Sequence, residues 1–117
     1  MTRAAIVVLA GTDSAADLGR VVNALEAARE FDRAGDDLRL IFDGAGTQWI
    51  AELEDEDHDY HDLYVSVSEH VQACEYCVDA YDVGAAVDES EAERDGEFEG
   101  HPSVKSLVDE GYEVITY

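Results

Sequence analysis

The chain opens with RAAIVVLAG, in which every position from Ala4 to Ala10 is apolar before Gly11 ends the run. A segment that is apolar on both faces predicts a strand covered on both sides, as in a parallel sheet. TDSAADLGRVVNALEAAREFDRAGDD follows with a different period. Leu18, Val21, Val22, Leu25 and Ala28 recur at helical spacing, Thr12, Asp13 or Ser14 can cap the helix, and Gly35 can end it. LRLIFDG is a second strand that halts at Gly44. Strand, helix and strand in this order make a βαβ unit, whose crossover is right-handed.

Beyond this unit the pattern is less uniform. GTQWIAELEDED predicts a short helix from Gly46 carrying Trp49, Ile50 and Leu53, and DEDHDYHD is a solvated connection. LYVSVSEHV fits two templates: Val65 and Val67 alternate as in a strand, while Leu63, Val67 and Val71 form a helical stripe. Tyr76 to Val87 reads as helix with a break at Gly84, and DESEAERDGEFEG as a charged surface segment with a short strand near Phe98. In HPSVKSLVDEG a final helix places Pro102 in its first turn and Val104, Leu107 and Val108 inward, with Gly111 at its end. YEVITY is a β-branched, aromatic closing strand. No repeat or Pro/Gly/Ser linker divides the chain. The alternation predicts one domain over residues 1–117, an α/β three-layer αβα sandwich around a mostly parallel sheet.

In such sheets the functional crevice lies beyond the carboxyl ends of the strands. Three loops fall there: Gly11-Thr12-Asp13, Asp43-Gly44-Ala45-Gly46-Thr47, and the segment HVQACEYCVDAYDVG with both cysteines. Thr12, Asp13, Asp43, Gly44, Gly46 and Thr47 are thereby candidate pocket-lining residues. GAG at Gly44–Gly46 lacks the lysine of a phosphate loop and stands beside Asp43, so its glycines read as a tight strand-to-helix turn.

Cys74 and Cys77, spaced as CxxC, carry the candidate chemistry, and three readings remain open. Cys74 at a strand end and helix start would gain backbone N–H groups that lower its pKa, with Cys77 one turn later to resolve a persulfide or sulfenate. Nearby Glu69, Glu75 and Asp79 oppose that ionisation. Alternatively both thiols are small buried hydrophobes in a non-enzymatic oligomeric module whose crevice binds a small molecule or partner. The third reading is zinc held by His70, Cys74 and Cys77, with a fourth ligand from His58, His61, His101 or a neighbouring subunit. No cofactor is expected.

Charge changes the picture of partners. Acidic residues outnumber basic ones by 29 to 7, giving a net charge of −22, yet 46% of residues are hydrophobic. The chain is therefore a folding sequence under strong self-repulsion rather than a disordered acidic one. With no basic face to release counterions, nucleic acid and acidic membrane surfaces are excluded as partners. No segment approaches the ~20 apolar residues of a membrane span. A CxxC pair without other cysteines fits a reducing compartment, so a cytoplasmic location is expected.

Several stretches together resemble the DsrE/DsrF-like family of small sulfur-relay proteins, relatives of the DsrEFH and TusBCD subunits. They are the opening strand with its GTD loop, GRVVNALEAAREF, IFDGAGTQWIAEL, ACEYCVDAYDV and HPSVKSLVDEGYEVITY. The resemblance implies a flavodoxin-like fold, assembly into trimers or hexamers, and persulfide sulfur carried on Cys74 between donor and acceptor proteins. It does not extend to Cys77, since the relay proteins need no CxxC. It also favours helix over strand for LYVSVSEHV.

The acidic, lysine-poor composition also resembles cytoplasmic proteins of salt-accumulating halophiles. In molar salt the screening length falls to about 3 Å and most of the repulsion vanishes. The melting temperature is expected to rise with KCl concentration; a value independent of KCl would contradict this reading of the charge.

Overall fold

β1 (Arg3–Val8) is an inner strand of the sheet, and its apolar run explains why: Ala4, Ala5, Ile6 and Val8 are fully buried. A computed structural model describes residues 1–117. β1 pairs in parallel with β2 (Asp37–Phe42) on one side and β5 (Glu113–Thr116) on the other. β2 continues to β3 (Val71–Cys74), and β3 to β4 (Glu93–Asp95), so five parallel strands lie in the order β4-β3-β2-β1-β5.

The helices cover the two faces unequally. α1 (Ala15–Arg33) starts where Ser14 Oγ accepts the Asp17 N–H at 3.1 Å and ends at Gly35, whose φ is +77°. Its Val21, Ala24, Leu25 and Ala28 pack on one face of the sheet. α2 (Gln48–Glu54), α3 (His61–Val65) and α5 (Gly84–Glu89) add Trp49, Ile50, Leu53, Tyr64 and Val87 to the same core. Over the opposite face, α6 (Val104–Asp109) buries Leu107 against Ala5, Val7 and Ile41. The result is a three-layer αβα sandwich of flavodoxin-like type with one thick and one thin layer. No helix is long and apolar enough to cross a membrane.

One open segment is settled and three expectations change. LYVSVSEHV begins in helix α3, passes a 3₁₀ turn at Ser68–His70 and becomes strand only at Val71, beyond the valines whose alternation suggested β structure. The short strand lies at Glu93–Asp95 rather than near Phe98. Val104 and Val108 face solvent, 56% and 59% exposed, because a six-residue helix lays only the Leu107 row on the sheet. Pro102 precedes the helix rather than entering it; Ser103 is the cap and accepts the Ser106 N–H at 3.1 Å.

The Asp43–Thr47 turn is set by a close approach. A Cβ on Gly46 would lie 2.1 Å from the Val8 carbonyl oxygen, and Gly44 has φ +56°. Thr47, fully buried, donates its hydroxyl to the Gly44 carbonyl at 2.8 Å. Gly46→Ala must push this turn off the end of β1 and is expected to lower stability by about 1–3 kcal/mol. Gly19→Ala, at an exposed position in the second turn of α1 with open space at its Cβ, is expected to raise it by about 0.5–1 kcal/mol. Urea unfolding of both variants checks the pair; equal effects would contradict the close-packed turn.

Candidate functional site

Strand parity delivers the first two groups. Along β3, Val71 and Ala73 point into the thick core, so Gln72 and Cys74 point to the thin side. Along β2, Leu38, Leu40 and Phe42 point into the core while Arg39 and Ile41 face the thin side, and Arg39 Nε donates to Gln72 Oε1 at 2.9 Å. Phe42 pairs with Ala73, which brings the next residues, Asp43 and Cys74, side by side where both strands end.

The chain then turns directly from β3 into α4 (Glu75–Ala80), with Cys74 at the N-cap and Cys77 one turn later. The fourth group arrives from the loop between β4 and α6. There Phe98 and His101 exchange two backbone hydrogen bonds of 2.8 Å around Glu99 and Gly100, whose φ values of +53° and +85° have the sign pattern of a type I′ turn. This hairpin is tied to α4 because the Tyr76 N–H donates to the Gly100 carbonyl at 2.9 Å and the Tyr76 and His101 rings lie 4.8 Å apart.

Convergence is close. His101 Nδ1 lies 3.3 Å from Cys74 Sγ, and Cys77 Sγ lies 3.5 Å from Asp43 Oδ1. One donor atom from each of Asp43, Cys74, Cys77 and His101 falls within 4.8 Å of every other. The cysteines are free thiols.

The electrostatics overturn one expectation. Cys74 is 0% exposed, and its pKa is pushed up to about 12, chiefly by burial. The Cys77 backbone N–H pulls the other way, while the Cys77 side chain and the Asp43 carboxylate add to the rise. The helix start was expected to ionise Cys74; desolvation outweighs it, and the resting thiol is neutral. Cys77, half-buried, is the more accessible sulfur.

The other sequence candidates separate from this cluster. His70 stands at the opposite end of β3 from Cys74, about 13 Å of extended chain away, and its Nε2 is 2.7 Å from Asp32 Oδ1. It is therefore not a ligand partner of the thiols. His58 Nδ1 accepts the Tyr60 N–H, and His61 Nδ1 lies 2.6 Å from the Leu53 carbonyl oxygen. Thr12 and Asp13 line a separate hollow with Trp49, Glu52 and His58. Gly44, Gly46 and Thr47 shape the turn that carries Asp43, whose Oδ1 accepts the Gly44 N–H at 2.7 Å.

His101 was read as one of several optional fourth zinc ligands, with nothing in the sequence to place it beside the cysteines. The signal that finds it is topological: in an all-parallel sheet every strand-to-helix loop emerges at the same edge, so the loop after β4 must meet the loops after β2 and β3.

Fold and site together define the class: an all-parallel αβα sandwich with two thiols, an imidazole and a carboxylate clustered at the carboxyl edge of its sheet. No family model matches the chain. It is 25% identical over 95 residues to the uncharacterized protein MJ0733 of Methanocaldococcus jannaschii, covering 81% of this chain and 78% of that protein. The solved structure of BT1422, a conserved protein of unknown function from Bacteroides thetaiotaomicron, superposes with a TM-score of 0.67. That match covers 97% of this chain and 94% of the other at 14% identity, a likeness of fold.

Proposed function

We propose that the protein is a dithiol sulfur carrier in which the Cys74–Cys77 pair receives sulfane sulfur from a small or protein-borne persulfide. The observation that carries this reading is the shared position of both sulfurs, an imidazole and a carboxylate, with all donor atoms within 4.8 Å at the sheet edge. The motif resemblance to DsrE/DsrF-like proteins supports the same chemistry and a homo-oligomeric assembly. The entry role goes in this reading to half-buried Cys77, because Cys74 is sealed from solvent.

The steps balance as follows. Cys77 sulfur attacks the outer sulfur of R–S–SH, the S–S bond breaks, and Cys77–S–SH and R–SH result. The Cys77 thiol proton faces Asp43 Oδ1 at 3.5 Å. Cys74 sulfur then attacks the Cys77 sulfur, passing its proton to His101 Nδ1 at 3.3 Å, and sulfide leaves as a Cys74–Cys77 disulfide forms. The two thiols are oxidised by two electrons and the sulfane sulfur is reduced.

A specific observation favours one rival. A thiol that is 0% exposed and neutral is also what a purely structural cysteine looks like. Mass spectrometry after treatment of EDTA-washed protein with a low-molecular-weight persulfide separates the two. The carrier reading predicts sulfur on Cys77 in Cys74→Ser, where it cannot be resolved, sulfide release by wild type, and neither in Cys77→Ser. Inert thiols in all three proteins would leave only the structural reading.

A further inference from the structure

We propose that Asp43, Cys74, Cys77 and His101 form a closed four-ligand site for a divalent transition metal, with Zn²⁺ the ion their donor set fits best. Two thiolate sulfurs, one imidazole nitrogen and one carboxylate oxygen suit a borderline-soft, tetrahedral cation and disfavour Mg²⁺ or Ca²⁺, which take oxygen ligands.

The distances agree with that geometry. Zinc bonds of about 2.3 Å to sulfur and about 2.0–2.1 Å to nitrogen or oxygen imply tetrahedral edges of about 3.5 Å between sulfur and nitrogen or oxygen, and about 3.8 Å between two sulfurs. Cys74 Sγ and His101 Nδ1 are 3.3 Å apart, Cys77 Sγ and Asp43 Oδ1 are 3.5 Å apart, and every other pair lies within 4.8 Å. Small rotamer adjustments therefore suffice to close the shell.

The donors come from three separately anchored pieces of chain. Asp43 directly follows β2 and is fixed by the Gly44 N–H at 2.7 Å. Cys74 and Cys77 join β3 to α4. His101 is held by the two-bond bridge to Phe98 and by the Tyr76 ring at 4.8 Å. Such outer contacts orient ligands before the ion arrives. Coordination also resolves a local conflict. Without a cation, the Asp43 carboxylate stands beside a buried Cys74 sulfur that is poorly solvated as an anion; a divalent ion supplies the balancing positive charge as each thiol releases its proton to solvent. A second group, Asp32, Glu69 and His70, lacks sulfur and includes an exposed glutamate, so it does not share this fit.

This inference goes beyond sulfur carriage and does not rest on it. A bound ion engages both sulfurs, so metal and persulfide exclude each other at any one moment.

Titration of the reduced, EDTA-stripped full chain with Co²⁺ is the test, followed by displacement with Zn²⁺. The expected result is a thiolate-to-cobalt charge-transfer band with tetrahedral d–d absorption, saturating at one ion per chain and erased by one equivalent of Zn²⁺. His101→Ala and Asp43→Ala are expected to lose at least the roughly 100-fold in affinity that disturbing outer-shell partners alone can reach. His70→Ala should bind as wild type does. Wild-type protein with a native far-UV spectrum and no such bands would overturn the proposal, as would wild-type affinity in a folded His101→Ala. Because sulfur uptake is measured in chelator, neither result decides the carrier reading.

Discussion

The parallel register between β2 and β3 is the constraint on which the rest depends. Because Phe42 stands opposite Ala73, Asp43 and Cys74 emerge together on the thinly covered side of the sheet. A slip of one residue would turn either side chain into the thick core. The register is held from the other face, where Leu40, Phe42, Val71 and Ala73 are buried against the main core. An apolar interior thus positions a polar cluster at the sheet edge, and the α4 turn and the Phe98–His101 hairpin add to what the strands have already aligned.

The chemistry of the cluster follows from its partial enclosure. Cys74 lies beneath the hairpin with no exposure, beside a carboxylate, and both conditions favour the neutral thiol. Such a sulfur gains reactivity only when something takes its proton or supplies positive charge. His101 offers the first and a divalent cation the second. The same four residues therefore support two chemistries that compete for one pair of sulfurs, and occupancy decides which of them is open. Around them the thin face is polar: Arg39 reaches both Gln72 and Asp95, at 2.9 Å and 3.2 Å.

What could be read in the sequence was whatever depends on long, uninterrupted patterns. Ala4–Ala10 reads as a buried strand because both of its faces are apolar, and α1 because its stripe, cap and terminal Gly35 agree with one another. The Asp43–Thr47 turn and the place of Cys74 between strand and helix were also legible, from glycine spacing and loop position. β3 was not, since four residues are too few to show a period and its preceding helix borrows the same valines. With β4, three residues with two of them exposed, there is no apolar pattern to read, and without it the loop carrying His101 had no assigned edge. His70, nearer to the cysteines in sequence, drew attention that belonged to a histidine 27 residues beyond Cys74.

The central claim is that these separate segments meet at one point, and the imidazole of His101 is its natural reporter. Two-dimensional NMR of the ring resonances of the 4 histidines, in wild type and in Cys74→Ser under reducing, metal-free conditions, measures the meeting directly. The account predicts a marked shift of the His101 ring signals, with His58, His61 and His70 in place. An unmoved His101 in a folded Cys74→Ser protein would contradict it.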